Sequence, residues 1–212
     1  MCLGMNPAVC SPLQRLLPPG CSRFIAQTPH FAAVPTFGCF VAGYLLVVPR
    51  THVLSFARLG ADLLAEAGNL VDELAVRIET VYGMPVLGFE AGINQPHERR
   101  IEHAHWHLLP SQARLRDWLD ARLAGRRISS LTGLPADPAV SYIAVRDQER
   151  ALTAYVLDGP LDPGQRIRLR RTVATLDPRV DPATWDWAGQ QWPALIQQTI
   201  QDLGPQPPGG RP

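Results

Sequence analysis

The sequence predicts an α+β fold in which short strands surround one long helix. Three observations carry that assignment. Leu63, Leu64, Ala67, Leu70, Val71, Leu74, Ala75 and Ile78 recur at three- and four-residue steps, the period of an amphipathic helix. Short stretches rich in Phe, Val, Ile and Leu flank it and are bounded by Pro or Gly, as strands are. Of the 212 residues, 46% are apolar, which is enough for one core or for one core with a sizeable extension.

Met1–Gly20 mixes Pro and Gly without a hydrophobic period and reads as an irregular lead-in. Phe24–Val34 and Cys39–Pro49 read as a strand pair, with Pro35-Thr36-Phe37-Gly38 as the turn. The helix is expected over Leu59–Tyr82; Gly83 stops it and Pro85 forbids its continuation. Pro85–Ala91 reads as a short strand, Gly92–Arg100 as a polar loop, and Ile101–Leu109 as a strand closed by Pro110.

Composition then shifts. Arg114–Leu123 alternates charge with Leu, Trp and Ala, as a short amphipathic helix would. Ser141–Arg146 and Leu152–Leu157 read as a hairpin across Asp147-Gln148-Glu149, and Pro163–Leu176 and Pro182–Leu203 as helices. Trp185, Trp187 and Trp192 are expected to pack against the hairpin. Gly204–Pro212 is almost all Gly and Pro and reads as a disordered tail. The expected organisation is a lead-in over 1–21, a domain over 22–112, a hairpin-and-helices α+β extension over 113–203, and a tail over 204–212.

All 20 basic residues are Arg; the chain has no Lys. Schiff-base lysines and phosphate-binding P-loop lysines are therefore excluded, and anion recognition falls to Arg, His or backbone amides. With 19 acidic residues the net charge is +1, too low to suggest a general nucleic-acid binder or a polybasic membrane protein. The longest apolar run, Phe40–Val48, is too short to span a bilayer. Met1–Pro19 has no basic start followed by an apolar stretch, so a cytoplasmic chain is expected, with Cys2, Cys10, Cys21 and Cys39 reduced. Cys21 and Cys39 read as small buried apolar groups. Arg166, Arg168, Arg170 and Arg171 fall on a predicted helix without interleaved aromatics and read as a solvated face with Asp and Glu partners.

Three of the six histidines lie in His103-Ala104-His105-Trp106-His107-Leu108-Leu109. On a strand, residues two apart share a face at ~6.5–7 Å, close enough for three imidazoles to surround one small anionic group. Burying three titratable groups together is costly unless they act on something. Two chemistries suit them. One is metal ligation by His-x-His. The other is nucleophilic catalysis by an imidazole, which is largely neutral at pH 7 because its pKa lies near ~6.5. A nucleophilic imidazole needs one bare nitrogen, so its other N–H must be given to a fixed acceptor. Its neighbours can then donate to phosphoryl oxygens as charge builds there.

The segment resembles the signature of the histidine-triad (HIT) family of nucleotide hydrolases and transferases, His-φ-His-φ-His-φ-φ with φ apolar. Ala104, Trp106, Leu108 and Leu109 satisfy every φ. Gly43-Tyr44-Leu45-Leu46-Val47-Val48-Pro49-Arg50-Thr51-His52 is similar to the family's Gly-His-x-Leu-Val-x-Pro-x-x-His strand. Gly88-Phe89-Glu90-Ala91-Gly92 resembles its Phe-Glu-His-Gly strand end, with Ala91 in place of His. The resemblance covers roughly Ser22 to Pro110. More weakly, Gln165…Arg170-Arg171-Thr172-Val173-Ala174 and Trp185-Asp186-Trp187 are similar to the tails of some bacterial members.

The resemblance implies an antiparallel sheet with the long helix packed on it, often dimeric. It implies a nucleotide or nucleotide-conjugate substrate and no required cofactor. His105 would attack the α-phosphorus of a nucleoside phosphate ester, anhydride or phosphoramidate, forming a covalent nucleotidyl-histidine that water, phosphate or another acceptor resolves. His107 would hydrogen-bond the phosphate or leaving group, and His103 would orient the site. Thr36 stands where a ribose-binding Asp is common, and Asn94 falls at the place of a substrate-contacting Asn. Arg99 or Arg100, in the stretch before the triad, could pair with a phosphate. Some members hold structural zinc through Cys-x-x-Cys, the Pro-x-x-His histidine and the first triad histidine; this chain has His52 and His103 but no Cys-x-x-Cys, and Cys2 and Cys10, eight apart, are the cysteines a loop could bring to them. Two rival readings are a metal-dependent hydrolase with the three histidines as ligands and a noncatalytic nucleotide-binding protein that retains the strand.

Overall fold

The computed structural model describes residues 22–92, 103–157 and 167–205, apart from Pro138 and Trp187. Its strands are β1 (Ala26–Gln27), β2 (Phe31–Pro35), β3 (Leu45–Pro49), β4 (Val86–Gly92), β5 (Trp106–Pro110), β6 (Gly125–Ile128), β7 (Ser141–Arg146) and β8 (Leu152–Leu157). Its α-helices are α1 (Ala61–Tyr82), α2 (Leu115–Asp120), α3 (Leu169–Leu176) and α4 (Pro193–Leu203). The strands form one antiparallel sheet in the order β1-β2-β3-β5-β4-β7-β8-β6. The chain is thus α+β, as the sequence predicts.

The sheet is covered on both faces. On one, the apolar stripe of α1 (Leu64, Ala67, Leu70, Val71, Leu74, Ala75 and Ile78) packs with Leu45, Val47, Trp106, Leu108 and Ala144. On the other, Leu169, Val173 and Ala174 of α3 and Ile196 of α4 pack with Leu87, Phe89, Leu109, Ile143 and Val145. Alternate residues of a strand point to opposite faces, which is why β4, β5 and β7 feed both cores and read as nearly continuous apolar runs. α1 ends at Gly83, whose left-handed backbone (φ 63°, ψ 27°) lets its N–H reach the Glu79 carbonyl at 2.9 Å.

The sheet does not stop at the expected join between residues 112 and 113. β4 pairs with β7 from Gly88↔Arg146 to Gly92↔Tyr142, so the expected extension continues the same sheet. β5 and the start of α3–α4 are also latched together by Asp177. Its buried carboxylate accepts from Ser111 Oγ at 2.8 Å, Gln112 N–H at 3.1 Å and Arg179 Nη2 at 2.8 Å, while Arg179 also donates to the Pro110 carbonyl at 2.9 Å.

Several local expectations are corrected. The Phe24–Val34 stretch breaks into β1 and β2. Cys39–Tyr44 is loop rather than strand: β3 begins at Leu45, and the connection passes through positive φ at Gly38 (65°) and Gly43 (84°). A Cβ at Gly43 would stand 2.5 Å from the Tyr82 ring, so this tight passage needs glycine. The Pro182–Leu203 helix is two pieces, a 3-10 turn over Pro182–Trp185 and then α4, because Trp192 adopts a left-handed conformation (φ 52°) before Pro193. In the expected Pro163–Leu176 helix, only Leu169–Leu176 is helical among the described residues. β6, with its exposed Gly125, Arg126 and Arg127, is a strand that no alternation announces. The expected lead-in, nearly all of the expected Gly92–Arg100 loop, the first two residues of the expected Ile101–Leu109 strand and most of the expected tail lie outside the described residues. No helix among the described residues is long and apolar enough to cross a membrane.

Two stability outcomes follow. Leu74 is 1% exposed and Val76 on the same helix is 47% exposed. Leu74→Ala should cost ~2–5 kcal/mol, and Val76→Ala less than about 0.5 kcal/mol, in denaturant midpoints at unchanged slope. For Asp177, burial alone would raise the carboxyl pKa, but the hydrogen bonds and charge of Arg179 and the Ser111 hydroxyl outweigh it and hold the group below its ordinary value. A depressed folded-state pKa gives stability that is complete above the unfolded value near ~3.9 and is lost as pH falls through the folded value. Asp177→Asn should therefore cost about 1–3 kcal/mol at pH 7. Thermal unfolding along a pH series should show that difference shrinking only as acid protonates the wild-type carboxylate.

Candidate functional site

The site is built on β5, which lies between β3 and β4. His107 stands opposite Leu46 on β3 and Phe89 on β4, on the face away from α1. Phe89 stacks on its imidazole with centroids 4.4 Å apart and planes 18° from parallel. Its Nδ1 is 2.8 Å from the Tyr44 hydroxyl. Burial, with the neighbouring His105 and Arg170 charges adding to it, pushes the His107 pKa well below the ordinary imidazole range, so the ring is neutral.

His105 is partly buried, and its Nδ1 lies 2.8 Å from the backbone carbonyl of His103. A carbonyl only accepts, so Nδ1 carries the proton and the lone pair of the neutral ring sits on Nε2. The His105 and His107 rings meet edge to face, with centroids 4.8 Å apart. His103 is buried. Its Nε2–H donates to the Pro49 carbonyl at 2.8 Å, and its Nδ1 faces His52 Nδ1 at 3.2 Å. Burial lowers the His103 pKa, and the Pro49 hydrogen bond works against that shift.

The three histidines are not one row on a strand. β5 starts at Trp106, and His103 to His105 form an irregular lead-in with a bend at His103, where the Ala104 N–H donates to the Val53 carbonyl at 2.7 Å. β3 ends at Pro49, and its last pair with β5 is Val47↔Trp106, so the segment before Trp106 has no ladder partner there. The His103 ring instead takes the Pro49 carbonyl. Alternation still holds for the apolar side chains: Ala104, Trp106 and Leu108 all enter the core under α1.

The three rings are held by separate partners. Each commits one nitrogen to a different partner: Pro49, the His103 carbonyl and Tyr44. Among the described residues, no group of three or more His, Cys, Asp or Glu side chains is gathered in a way that could hold a metal ion. His52 and His103 alone form a metal-like pair. Zinc–nitrogen bonds of about 2.0–2.1 Å in tetrahedral geometry place two ligand nitrogens about 3.3 Å apart, close to the spacing seen. The remaining candidates, Cys2 and Cys10, lie outside the described residues, as do Asn94, Arg99 and Arg100.

Thr36 is buried, and its hydroxyl is engaged within the protein. It donates to the Phe37 carbonyl at 3.0 Å and accepts from Arg170 Nη1 at 3.2 Å. Arg170 corrects the expectation of a solvated helix face. Its guanidinium also donates to the Gly38 carbonyl at 2.5 Å and the Trp185 carbonyl at 3.3 Å, and it lies 5.3 Å from the Phe40 ring centroid and 5.1 Å from that of Tyr44. Tyr44 lies just before β3, next to Gly43. Burial pushes its phenol up to about 12, so it keeps its proton. Cys39 is buried as expected, and burial pushes its thiol up to about 11, which leaves it inert at neutral pH. Glu90 accepts from Phe56 N–H at 2.8 Å and from the Tyr142 hydroxyl at 2.6 Å, which ties the stretch after His52 to the sheet.

No protein-family model matches the chain, and no curated protein does. Several solved structures described as histidine-triad or HIT-family proteins match it at low identity and over part of its length. A hypothetical histidine triad nucleotide-binding protein from Sulfolobus tokodaii is 25% identical, with 49% of this chain and 67% of that chain covered and a TM-score of 0.38. A HIT-family member from Bacillus subtilis is 17% identical over 57% of this chain and 99% of that chain, with a TM-score of 0.39. A HIT family hydrolase from Clostridium thermocellum is 17% identical over 50% of this chain and 90% of that chain, with a TM-score of 0.34.

Proposed function

We propose that the chain is a nucleotidyl hydrolase or transferase that works through a nucleotidyl-histidine on His105. The observation that carries this reading is the hydrogen bond from His105 Nδ1 to the His103 carbonyl. It fixes the tautomer whose Nε2 lone pair can attack phosphorus, and it is held by backbone rather than by a mobile side chain.

In the first step Nε2 attacks the α-phosphorus. A P–N bond forms, the bond to the leaving group breaks, and that group departs with the electron pair. His105 becomes positively charged as the bond forms. The Nδ1–H···O=C bond then becomes charge-assisted, so it strengthens toward the transition state and contributes to catalysis rather than only to substrate binding. His107 donates to the phosphate or leaving group. In the second step water or another acceptor attacks phosphorus, loses its proton, and releases neutral His105. With no lysine in the chain, the negative charge of the substrate is met by imidazole, guanidinium and amide N–H groups.

The full chain, incubated with adenosine phosphoramidate and with dinucleoside polyphosphates, should give a nucleotidylated His105 in acid-sparing mass spectrometry. His105→Asn should abolish the adduct and lower turnover by more than ~10³-fold while leaving the fold intact. Turnover of that variant at the wild-type rate would sink the covalent mechanism.

The His52–His103 pair fits two ligands of a structural zinc, with Cys2 and Cys10 as the other two. Zinc held there would brace the end of β3 against the lead-in to the triad and would take no part in the chemistry. Metal analysis of protein purified without chelators should then find zinc, and His52→Ala should lower both zinc content and melting temperature. Metal-free wild-type protein would rule this out.

A further inference from the structure

The Tyr44 hydroxyl and His107 Nδ1, 2.8 Å apart, can share their hydrogen bond in two ways. If the imidazole donates, Nδ1 carries the proton and Nε2 is bare. If the phenol donates, Nδ1 is the acceptor and Nε2 keeps an N–H. Only the second state lets His107 give a proton or a hydrogen bond to anything beyond Tyr44.

Arg170 favours the second state. Its guanidinium is anchored by the Gly38 and Trp185 carbonyls and the Thr36 hydroxyl, so it is a fixed cation beside the Tyr44 ring. A cation there stabilises negative charge on the phenol oxygen and so makes O–H the better donor. It also repels an imidazole N–H turned toward it and attracts an imidazole lone pair. The loop that carries Tyr44 is fixed from the same side: Thr199 on α4 accepts from Gly43 N–H at 2.9 Å. Phe89, stacked flat on His107, leaves the ring little freedom to turn over.

We propose that Tyr44 and Arg170 are positioning residues that hold His107 as the Nε2–H tautomer, making it the donor to the leaving group displaced by His105. This rests on the reading of His105 as nucleophile. In the displacement, the bond from phosphorus to the leaving oxygen or nitrogen breaks, that atom keeps the electron pair, and the Nε2 proton of His107 goes to it. As Nε2 gives up its proton, the Tyr44 phenol proton moves to His107 Nδ1, so the imidazole stays neutral and the phenol oxygen is left as an anion beside the Arg170 cation. The proton returns from the water or acceptor that resolves the intermediate.

The test uses the full chain with 15N-labelled histidine. Long-range 15N–1H spectra of the wild type should show His107 with an unprotonated Nδ1 and a protonated Nε2; the opposite tautomer overturns the proposal without any variant. Tyr44→Phe should convert His107 to the other tautomer or a mixture. Its kcat should fall roughly 10²-fold, the scale of a lost proton donor, with little change in KM, for a substrate with a poor leaving group such as a nucleoside phosphoramidate. For the nitrophenyl ester of the same nucleotide, whose leaving group needs no proton, kcat should fall less than about threefold. A merely structural role for Tyr44 would depress both substrates alike and would overturn the proposal. Arg170→Lys, which keeps the cation but loses the fork of hydrogen bonds, should keep the wild-type tautomer, and Arg170→Leu should not; identical spectra for the two would also count against it. His105→Asn separates the two readings. If it still turns over either substrate at the wild-type rate, the nucleophile assignment fails. If it is inactive and Tyr44→Phe spares the phosphoramidate, only the positioning role fails.

Discussion

The arrangement depends on β5 being paired on both sides. A strand flanked by β3 and β4 has its backbone polar groups met by both neighbours, so its position is fixed to within a hydrogen bond along most of its length. Its side chains are then divided between two cores with no freedom to exchange, because a one-residue slip would send Trp106 to the wrong face and His107 under α1. Trp106 and Leu108 lock the register from one side, while Phe89 and Leu109 lock it from the other. The lead-in from His103 to His105 inherits that precision through the carbonyls of Pro49 and Val53. His105, the proposed nucleophile, is thereby placed by main chain and by packing, and if it acts as proposed a displacement of even ~1 Å would be expensive.

The C-terminal segment belongs to the same construction. Arg170 holds Thr36 and Gly38, Thr199 holds Gly43, and Asp177 with Arg179 holds the exit of β5. These contacts reach the loop between β2 and β3, from which Tyr44 projects, and the exit of the strand that carries His107. Burying a carboxylate is costly unless its hydrogen bonds are met, and those of Asp177 are met by Ser111, Gln112 and Arg179, which flank the strand that carries the site. Stability of the C-terminal layer and geometry of the histidines are therefore coupled.

What could be read from the sequence follows from how local each signal is. α1 was legible because its burial is one-sided, so Leu64 to Ile78 repeat at the helical period. The β7–β8 hairpin was legible because two apolar runs flank a short polar turn. The triad was legible because its residue types and spacing are contiguous. The loop from Cys39 to Tyr44 was not, since its apolar residues are there to be buried beneath α3 and α4 and composition alone cannot tell a buried loop from a strand. Arg170 looked like one of several helix arginines, because its Thr36 and Gly38 partners are 134 and 132 residues away in the chain. The period-two pattern of His103 to His107 implied a strand through all three histidines, which holds only from Trp106 onward; it carried no information that Pro49 ends the neighbouring strand and leaves the first two histidines outside the ladder.

The sheet order bears on how two copies of the chain could meet. β4, which borders the site strand, has its outer edge covered by β7 of the same chain, and among the described residues the sheet's edge strands are β1, two residues long, and β6, four residues long with Arg126 and Arg127 exposed. Strands so short, and charged at one end, are poor templates for adding a strand from another molecule. The strands that flank the histidines are thus supplied by the chain to itself, with β3 and β4 on either side of β5.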